Sequence, residues 1–474
     1  MERASVFFKR IMLGILLLVM GLTLCLVIWK GASAHSYLAA LLLGAGLAYA
    51  LSRLLPQYSL PMPRLPGLWV GVFCFALNII WVLLVRIEPF SDYDEYWQVA
   101  CALAAGKPIP DAWYVAMYPH ILGTATFLSG LIRLFGESVF AVTVVNVVLT
   151  SLSCTLIWLL GRELLREEQA FLAAILWAFT PCKMMLGSLV FSEPLYTFLI
   201  LLFFWFFLRL KPQLTAEGPI PWAALGGLAL LGLLLALINI VRPIAAILII
   251  AVILWVLFLR GAEGRSPRLW GLWLLALVAM LGLYKGALML WDGHVEQVLG
   301  QEPASVPWYN IYVGLNEKTD GRYTDEDMDL LTSYLKKGMS AEEAQRHMIP
   351  HVQERLSSGL DFPKLLSAKL FDFLGNDELG GYTYRFTRSP LFVKICMILC
   401  NVFYYGIFLA GLQGLLQTFR SRALGPGLLL PLFFLGLTLA HMLVEVANRY
   451  HYSLIPILII FAALGLTGGE RSPS

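Results

Sequence analysis

Charged residues are scarce in this sequence. Of its 474 residues, 14% are charged and 59% are hydrophobic, whereas an ordinary soluble domain has roughly 25% charged and 45–50% apolar residues. This composition excludes a soluble globular protein and predicts an all-α polytopic membrane protein, because a spanning helix needs about 20 mostly apolar residues. We expect about twelve spans, near residues 11–28, 37–55, 67–86, 138–160, 169–181, 192–209, 221–241, 243–259, 269–290, 391–418, 426–446 and 450–467.

Long soluble segments are also missing on one side of the expected bundle. No connection on the side of the N-terminus exceeds about fifteen residues, and none has a glycine-rich phosphate loop. This excludes a soluble nucleotide-binding domain on that side, and we expect no nucleic-acid partner. An enzyme of this design would receive an activated substrate through the membrane or from the other side.

Cysteine is sparse and lies mainly in apolar runs. The chain has seven Cys, and residues 291–390 contain none. A disulfide framework is therefore not expected, since buried Cys generally behaves as a small hydrophobic residue. No spacing of Cys and His indicates a zinc site.

Positive residues concentrate in the connections on one side of the expected bundle. If the N-terminus is cytoplasmic, the positive-inside rule is satisfied and both termini lie in the cytoplasm of a plasma-membrane protein. Asp92, residues 291–390 and Arg449 then lie outside. The residues that carry the pattern are Arg3, Lys9, Arg10, Arg53, Arg64, Arg162, Arg166, Arg209, Lys211, Arg260, Arg265, Arg268, Arg420 and Arg422.

Residues 291–390 differ from the rest in composition, with about half of all acidic residues, and predict a small external helical insert. Thr324 is expected to cap one helix that Gly338 ends, and Ser340 with Glu343 forms the capping box of the next. Pro350 interrupts that helix, and Asp361 starts a third. The remaining divisions are two additional N-terminal helices over 1–66, a catalytic core over 67–290 with a first external loop at 87–137, and C-terminal helices over 391–474.

Acidic residues sit among aromatic residues where the third span ends. Residues 87–97 place Asp92, Asp94 and Glu95 beside Tyr and Trp, which prefer the headgroup level of a bilayer. A solvated loop usually mixes its acids with Lys, Ser or Gly instead. This segment is where we expect chemistry at the membrane face.

These residues resemble the first external loop of the membrane glycosyltransferases of superfamily C, the branch of protein O-mannosyltransferases and aminoarabinose transferases. The shared pattern is an Asp, a Tyr four residues on, an Ala eight on and a Gly beyond, here Asp92, Tyr96, Ala100 and Gly106; Tyr93 replaces the usual Glu. Four further segments resemble the same family: Tyr118-Pro119-His120, Ser192-Glu193-Pro194, Val241-Arg242-Pro243 and Asn448-Arg449-Tyr450.

The resemblance implies a bundle of the superfamily C type, with juxtamembrane helices such as residues 121–135. It also implies transfer of a sugar from a polyprenyl phosphate, with inversion, to a hydroxyl acceptor that is a lipid, a protein or a cell-wall glycan. Asp92 is expected to take the acceptor proton, while Arg242 and Arg449 bind the phosphate.

Other residues are weaker candidates. Asp94 and Glu193 are further catalytic candidates, and the substrate-binding candidates are Tyr450, Glu95, Tyr96, His120 and Lys183. No cofactor is certain; a divalent cation at Asp92 and Asp94 remains open.

Each assignment has a structural alternative. Asp92 could be a helix cap, Asp94 and Glu95 solvated first-turn acids, and Glu193 part of a water-exposed turn. Arg242 and Arg449 could anchor helix ends by snorkelling. At the level of function, the alternatives are a lipid or solute transporter and a ligase or polymerase of surface polysaccharide.

Overall fold

The computed structural model of the protein describes residues 2–57, 62–215, 222–259, 267–421 and 423–468. Over these ranges the chain is all-helical, which confirms the expected fold class. Arg260, Arg265 and Arg422, which belong to the charge pattern, lie outside the described residues. The helices up to the insert are α1 (Glu2–Ser33), α2 (His35–Leu54), α3 (Pro66–Leu84), α4 (Asp92–Ala105), α5 (Ala112–Met117), α6 (His120–Phe135), α7 (Val139–Leu164), α8 (Glu167–Ala178), α9 (Pro181–Leu186), α10 (Glu193–Thr215), α11 (Trp222–Val241), α12 (Ala245–Leu254) and α13 (Pro267–Leu299).

The remaining helices form the insert and the C-terminal part of the bundle. Those of the insert are α14 (Trp308–Gly314), α15 (Asp325–Lys336), α16 (Ala341–His347), α17 (Ile349–Ser357) and α18 (Phe362–Leu374). Those that follow are α19 (Pro390–Arg420), α20 (Leu429–Leu443) and α21 (Ile455–Thr467), with a 3-10 turn over Asn448–Leu454 before α21.

Nine of the described helical segments are long and apolar enough to cross a membrane. They are α1, α2, α3, α7, α10, α11, α13, α19 and Asn448–Thr467, where the spans of α1, α2, α10, α11 and α13 differ from the helix bounds by a few residues at one end. The protein is therefore a multi-pass membrane protein.

The expected count of twelve spans is not confirmed. Three of the expected segments contain α8, α12 and α20, which have only 12, 10 and 15 residues. One reason is visible after α8, where Thr180 has an extended backbone and Pro181 starts a new helix, because the residue before a proline avoids the helical region. A hydrophobic run in sequence thus becomes two short helices.

The C-terminal spans α19 and α21 pack in direct backbone contact. A Cβ atom added to Gly414 would lie 2.0 Å from the carbonyl oxygen of Phe461, and one added to Gly465 would lie 2.0 Å from that of Ala410. Small residues at helix interfaces permit this close approach within a membrane. The pair forms a tightly packed wall of the bundle.

The structure confirms the helix caps predicted in the insert. Thr324 caps α15, Ser340 and Glu343 form the capping box of α16, and Asp361 caps α18. Gly338, after α15, has a φ of 85°. Pro350 lies in the first turn of α17, as expected for a residue that ends one helix and fits the start of another.

The two ends of the bundle carry different residues. At one end, the Lys9 ammonium donates to the carbonyl oxygens of Ser421 and Ala423, at 3.0 and 2.7 Å. At the other end, the turn between α1 and α2 meets the insert, where the Tyr37 hydroxyl donates to Glu378 at 2.5 Å. The turn between α1 and α2 thus contacts the insert, which lies at the end opposite Lys9.

Candidate active site

Asp92 is the first residue of α4 and follows an unusual turn. Ser91 has a φ of 50°, a region that residues other than glycine adopt infrequently. No side chain caps α4. The Asp92 carboxylate instead pairs with the guanidinium of Arg449 and stays 44% exposed. Asp92 therefore does not act as the cap of α4.

Arg449 lies in the 3-10 turn before α21 and holds α4 by two contacts. One terminal nitrogen donates to Asp92, and the other donates to the Tyr93 hydroxyl at 3.1 Å. Burial raises the pKa of Asp92, but the charge and hydrogen bond of Arg449, with the charge of Arg242, more than offset this, and the pKa lies below its ordinary value. The carboxylate is therefore ionised at neutral pH. The Arg449 side chain is only 16% exposed, which disagrees with snorkelling to solvent.

Arg242, directly after α11, supplies a second positive charge. Its guanidinium carbon lies 4.6 Å from the centroid of the Tyr450 ring and 5.9 Å from that of Tyr196. Among the residues that the structure describes, it forms no ion pair with a carboxylate. The site thus holds one guanidinium paired with Asp92 and another that lies against aromatic rings and has no ion pair within the described residues.

Glu193 begins α10 and is buried, with 2% exposure. The Ser192 hydroxyl donates to it at 3.4 Å. Burial raises the pKa of Tyr96, and the charge of Glu193 adds to that effect, which places Glu193 near the buried face of α4. The alternative of a water-exposed turn is therefore wrong for Glu193.

Asp94 and Glu95 lie in the first turn of α4. Asp94 accepts a hydrogen bond of 3.4 Å from the Gln98 side chain. Burial, followed by the charges of Asp111, Asp94 and Asp92, raises the pKa of Glu95. No three His, Cys, Asp or Glu side chains of the described ranges converge in a way that fits a metal ion. Arg449 pairs with one oxygen of the Asp92 carboxylate, and a divalent cation at Asp92 and Asp94 stays a prediction.

His120 and Lys183 differ in their relation to the site. Burial and the charge of Arg242 lower the pKa of His120 to about 3, so a neutral imidazole faces the charged groups. Lys183 is buried elsewhere, donating to the side chain of Asn78 at 3.1 Å and to the Ala178 carbonyl at 3.0 Å. The structure thus brings His120 to the site and uses Lys183 to bind the end of α8.

Glu445 was missed by the sequence analysis. It lies between α20 and the 3-10 turn, and it accepts hydrogen bonds from the Tyr450 hydroxyl at 3.2 Å and from the Asn310 amide at 3.3 Å. The sequence did contain an indication, because Glu445 ends an apolar run and lies four residues before Arg449. Placing a charged side chain in or next to a membrane-spanning segment costs free energy, so such a residue usually has a function. Asn310, in the insert, had no such signal.

Comparison with known families gives the most direct test of the resemblance. Residues 120–284, about a third of the chain, match the family model described as dolichyl-phosphate-mannose-protein mannosyltransferase. The family resemblance is therefore confirmed over these residues. They run from α6 into α13 and include His120, Glu193 and Arg242, whereas Asp92 and Arg449 lie outside the matched range.

Solved structures are similar at low identity. An oligosaccharyltransferase from Archaeoglobus fulgidus, tethered with an acceptor peptide, is 13% identical with a TM-score of 0.49, covering 85% of this chain and 49% of its own. ArnT from Cupriavidus metallidurans, bound to undecaprenyl phosphate, is 14% identical with a TM-score of 0.37, covering 84% of this chain and 76% of its own. The chain spans about half the length of the oligosaccharyltransferase chains it matches. No curated protein matches it.

Proposed function

We propose that this protein is a membrane glycosyltransferase that moves a sugar from a polyprenyl phosphate to a hydroxyl acceptor. The observation that carries the proposal is the pairing of an ionised Asp92 with Arg449 beside a second guanidinium, Arg242, that no described carboxylate pairs with. This gives one site a base for the acceptor and a cation for a phosphate. The match to the mannosyltransferase family model supports the same reaction class.

Asp92 acts on the acceptor. As the acceptor oxygen forms its bond to the anomeric carbon, its proton passes to the Asp92 carboxylate. The bond from that carbon to the phosphate oxygen breaks on the opposite face, and its electron pair leaves with the polyprenyl phosphate. A single displacement of this kind inverts the anomeric centre and needs no covalent enzyme intermediate.

The two arginines have different roles in this proposal. Arg449 is a positioning residue, because its two terminal nitrogens donate to Asp92 and Tyr93. Arg242 keeps its donors available, and a guanidinium can meet a phosphate with two parallel charge-assisted hydrogen bonds. We therefore assign the phosphate to Arg242 and the orientation of the base to Arg449, whereas the sequence alone assigned both arginines to the phosphate.

We place the reaction on the extracytoplasmic side. The end of the bundle with Asp92 and the insert lies opposite the end with Lys9, and positive residues concentrate in the short connections of the latter end. The apolar helices around the site supply a surface for the prenyl chain, while the hydroxyl acceptor arrives from the aqueous phase or the outer leaflet.

Two substitutions separate the proposed roles. With a panel of radiolabelled prenyl-phosphate sugars, the wild-type protein is expected to consume at least one donor. Asp92→Asn should reduce turnover about 100- to 10,000-fold, as for loss of a general base, and keep binding of undecaprenyl phosphate. Arg242→Gln should weaken that binding by about tenfold or more.

Glu88→Gln is the matched control, because Glu88 is an exposed acid of the same loop, and it should keep both turnover and binding. If the wild-type protein consumes no donor but moves lipids across the bilayer, and Asp92→Asn abolishes that movement, the protein is a transporter and the proposal is wrong.

A further inference from the structure

The insert is fastened to the segment that carries Arg449. The backbone N–H of Glu445 donates to the Asn310 carbonyl at 2.8 Å, and that of Val446 donates to the Gly321 carbonyl at 3.1 Å. The Lys369 ammonium donates to the Met442 carbonyl at 2.8 Å. Main-chain contacts therefore fix the position of Glu445 from the insert side.

The Glu445 carboxylate has acceptor capacity that the protein does not use. Tyr450 donates to one oxygen and Asn310 to the other, while an ionised carboxylate can accept about four hydrogen bonds. No Lys or Arg of the described part of the chain pairs with it directly. A half-buried acid with unused acceptor positions and no cationic partner is suited to hydrogen-bond donors of a ligand.

Glu445 lies close to both functional groups of the site, Arg242 and the Asp92–Arg449 pair. Tyr450 connects it to Arg242, because the Tyr450 hydroxyl donates to Glu445 while the guanidinium of Arg242 lies 4.6 Å from the ring centroid. The guanidinium of Arg449, the partner of Asp92, lies 5.5 Å from the same centroid. Burial raises the pKa of Glu445 most, while the charge of Arg449 lowers it and that of Asp92 raises it. In a displacement, the base and the phosphate lie on opposite faces of the sugar, so a group close to both faces the sugar itself.

We propose that Glu445 binds hydroxyl groups of the sugar that is transferred, and that Asn310 of the insert holds it in place. The inference rests on the proposed glycosyltransferase function and names a determinant of sugar specificity within it. Two acidic side chains then have separate roles: Asp92 takes the acceptor proton, and Glu445 recognises the donor sugar. The insert thereby contributes to the choice of sugar through Asn310.

Donor analogues that each lack one sugar hydroxyl test this assignment. With the donor that the wild-type protein consumes, Glu445→Gln should lower kcat/KM about 10- to 100-fold, as expected for hydrogen bonds to a charged group. The wild-type protein should reject one deoxy donor by about tenfold or more, whereas Glu445→Gln should accept that analogue nearly as well as the full donor. Binding of sugar-free undecaprenyl phosphate should not change.

Asn310→Ala gives a second, milder test, because it leaves the carboxylate in place and removes its support. It should weaken discrimination against the same deoxy donor in part. Glu354→Gln is the control, since Glu354 is an exposed acid of the insert with 80% side-chain exposure, and it should behave as wild type.

Several outcomes overturn the inference. If Glu445→Gln turns over donor like the wild type, keeps the full discrimination against the deoxy donor, or loses undecaprenyl phosphate binding, Glu445 does not recognise the sugar. If Glu445→Gln cannot be purified folded, unchanged discrimination in Asn310→Ala decides against the inference. A wild-type protein that consumes no sugar donor overturns the proposed function and this assignment together.

Discussion

At the residue scale, Arg449 is the main partner that keeps Asp92 ionised. Burial alone would raise the pKa of Asp92, and the charge and hydrogen bond of Arg449 are the largest of the effects that lower it, ahead of the charge of Arg242. Desolvation and an opposite charge act on a carboxylate in opposite directions, so Arg449 has the largest share in keeping the base ionised across the neutral range.

Arg449→Gln is expected to show this directly. Without the charge and hydrogen bond of Arg449, the pKa of Asp92 should rise. Because the base must be ionised, the activity of the variant should fall on acidification at a higher pH than that of the wild-type protein. The measurement is kcat/KM against pH.

Arg449→Lys serves as the comparison. It keeps a positive charge but lacks the planar fork that reaches Asp92 and Tyr93 together, so its acid limb should lie between those of the other two proteins. An Arg449→Gln profile that superimposes on the wild type would show that Arg449 does not set the pKa of the catalytic group.

At the element scale, a close contact between α6 and α11 places Arg242. A Cβ atom added to Gly123 would lie 2.1 Å from the carbonyl oxygen of Ile240, two residues before Arg242. Gly123→Ala should push the end of α11 outward. The free energy of unfolding should fall by about 1–3 kcal/mol, as at other overpacked sites. Binding of undecaprenyl phosphate should also weaken, because Arg242 moves with α11.

Gly130 provides the matched control in the same helix, because nothing lies within 4 Å of an added Cβ there. Gly130→Ala should leave binding unchanged and stabilise α6 by about 0.5–1 kcal/mol, owing to the better helix propensity of alanine. Thermal melting in detergent and a lipid-binding assay distinguish the two variants. Equal behaviour of the two would contradict the role of the α6–α11 contact.

A buried lysine ties the insert to the bundle. Lys369 of α18 is 0% exposed, and it donates to the carbonyl oxygens of Gly314 and Met442, each at 2.8 Å. Burial lowers its pKa to about 8, below the unfolded value of about 10.4. Between these two values the unfolded chain binds more protons, so the free energy of unfolding should rise with pH across this window.

Lys369→Met tests this linkage. The melting temperature of the variant should not rise between about pH 8 and 10.4. At the upper end of that range the variant should also melt at a lower temperature than the wild type, because two buried carbonyl groups lose their hydrogen-bond donor. Lys364→Met is the control, since Lys364 lies in the same helix with 63% side-chain exposure. A rise that persists in Lys369→Met would assign the pH dependence to another group.

At the scale of the whole molecule, the residues of the site come from elements far apart in sequence. Asp92 and Arg449 are 357 residues apart, and Asn310 and Glu445 are 135 apart. The site is therefore complete only when the core helices, the insert and the C-terminal helices have assembled. All the segments that contribute residues to it must then lie on the same side of the membrane, which we propose is the extracytoplasmic side.

Labelling of introduced cysteines tests that orientation. Glu302→Cys in the insert should react with a membrane-impermeant maleimide in intact cells, whereas Glu168→Cys, at the start of α8, should react only after permeabilisation. Both positions are exposed. The wild-type protein gives the background from its seven native Cys. The reverse pattern, or labelling of both in intact cells, would refute an extracytoplasmic site.

Composition and short-range sequence patterns predicted much of the architecture. The apolar composition determined a helical membrane protein, because an unpaired backbone group in hydrocarbon is costly. The caps of α15, α16 and α18 followed from Thr324, Ser340 and Asp361, since such signals act within four residues. The number of spans could not be predicted in the same way, because a hydrophobic run does not reveal whether a proline such as Pro181 divides it into two short helices.

The composition of the site was decided by tertiary structure. Sequence motifs marked Asp92, Arg242 and Arg449, yet only packing of α4 against the turn before α21 makes Arg449 the partner of Asp92 and leaves Arg242 without a described acidic partner. Packing also moves Lys183 out of the site and brings Glu445 into it. A charged side chain acquires its role from the groups that surround it in space, and those groups are set by helix packing rather than by neighbours in the chain.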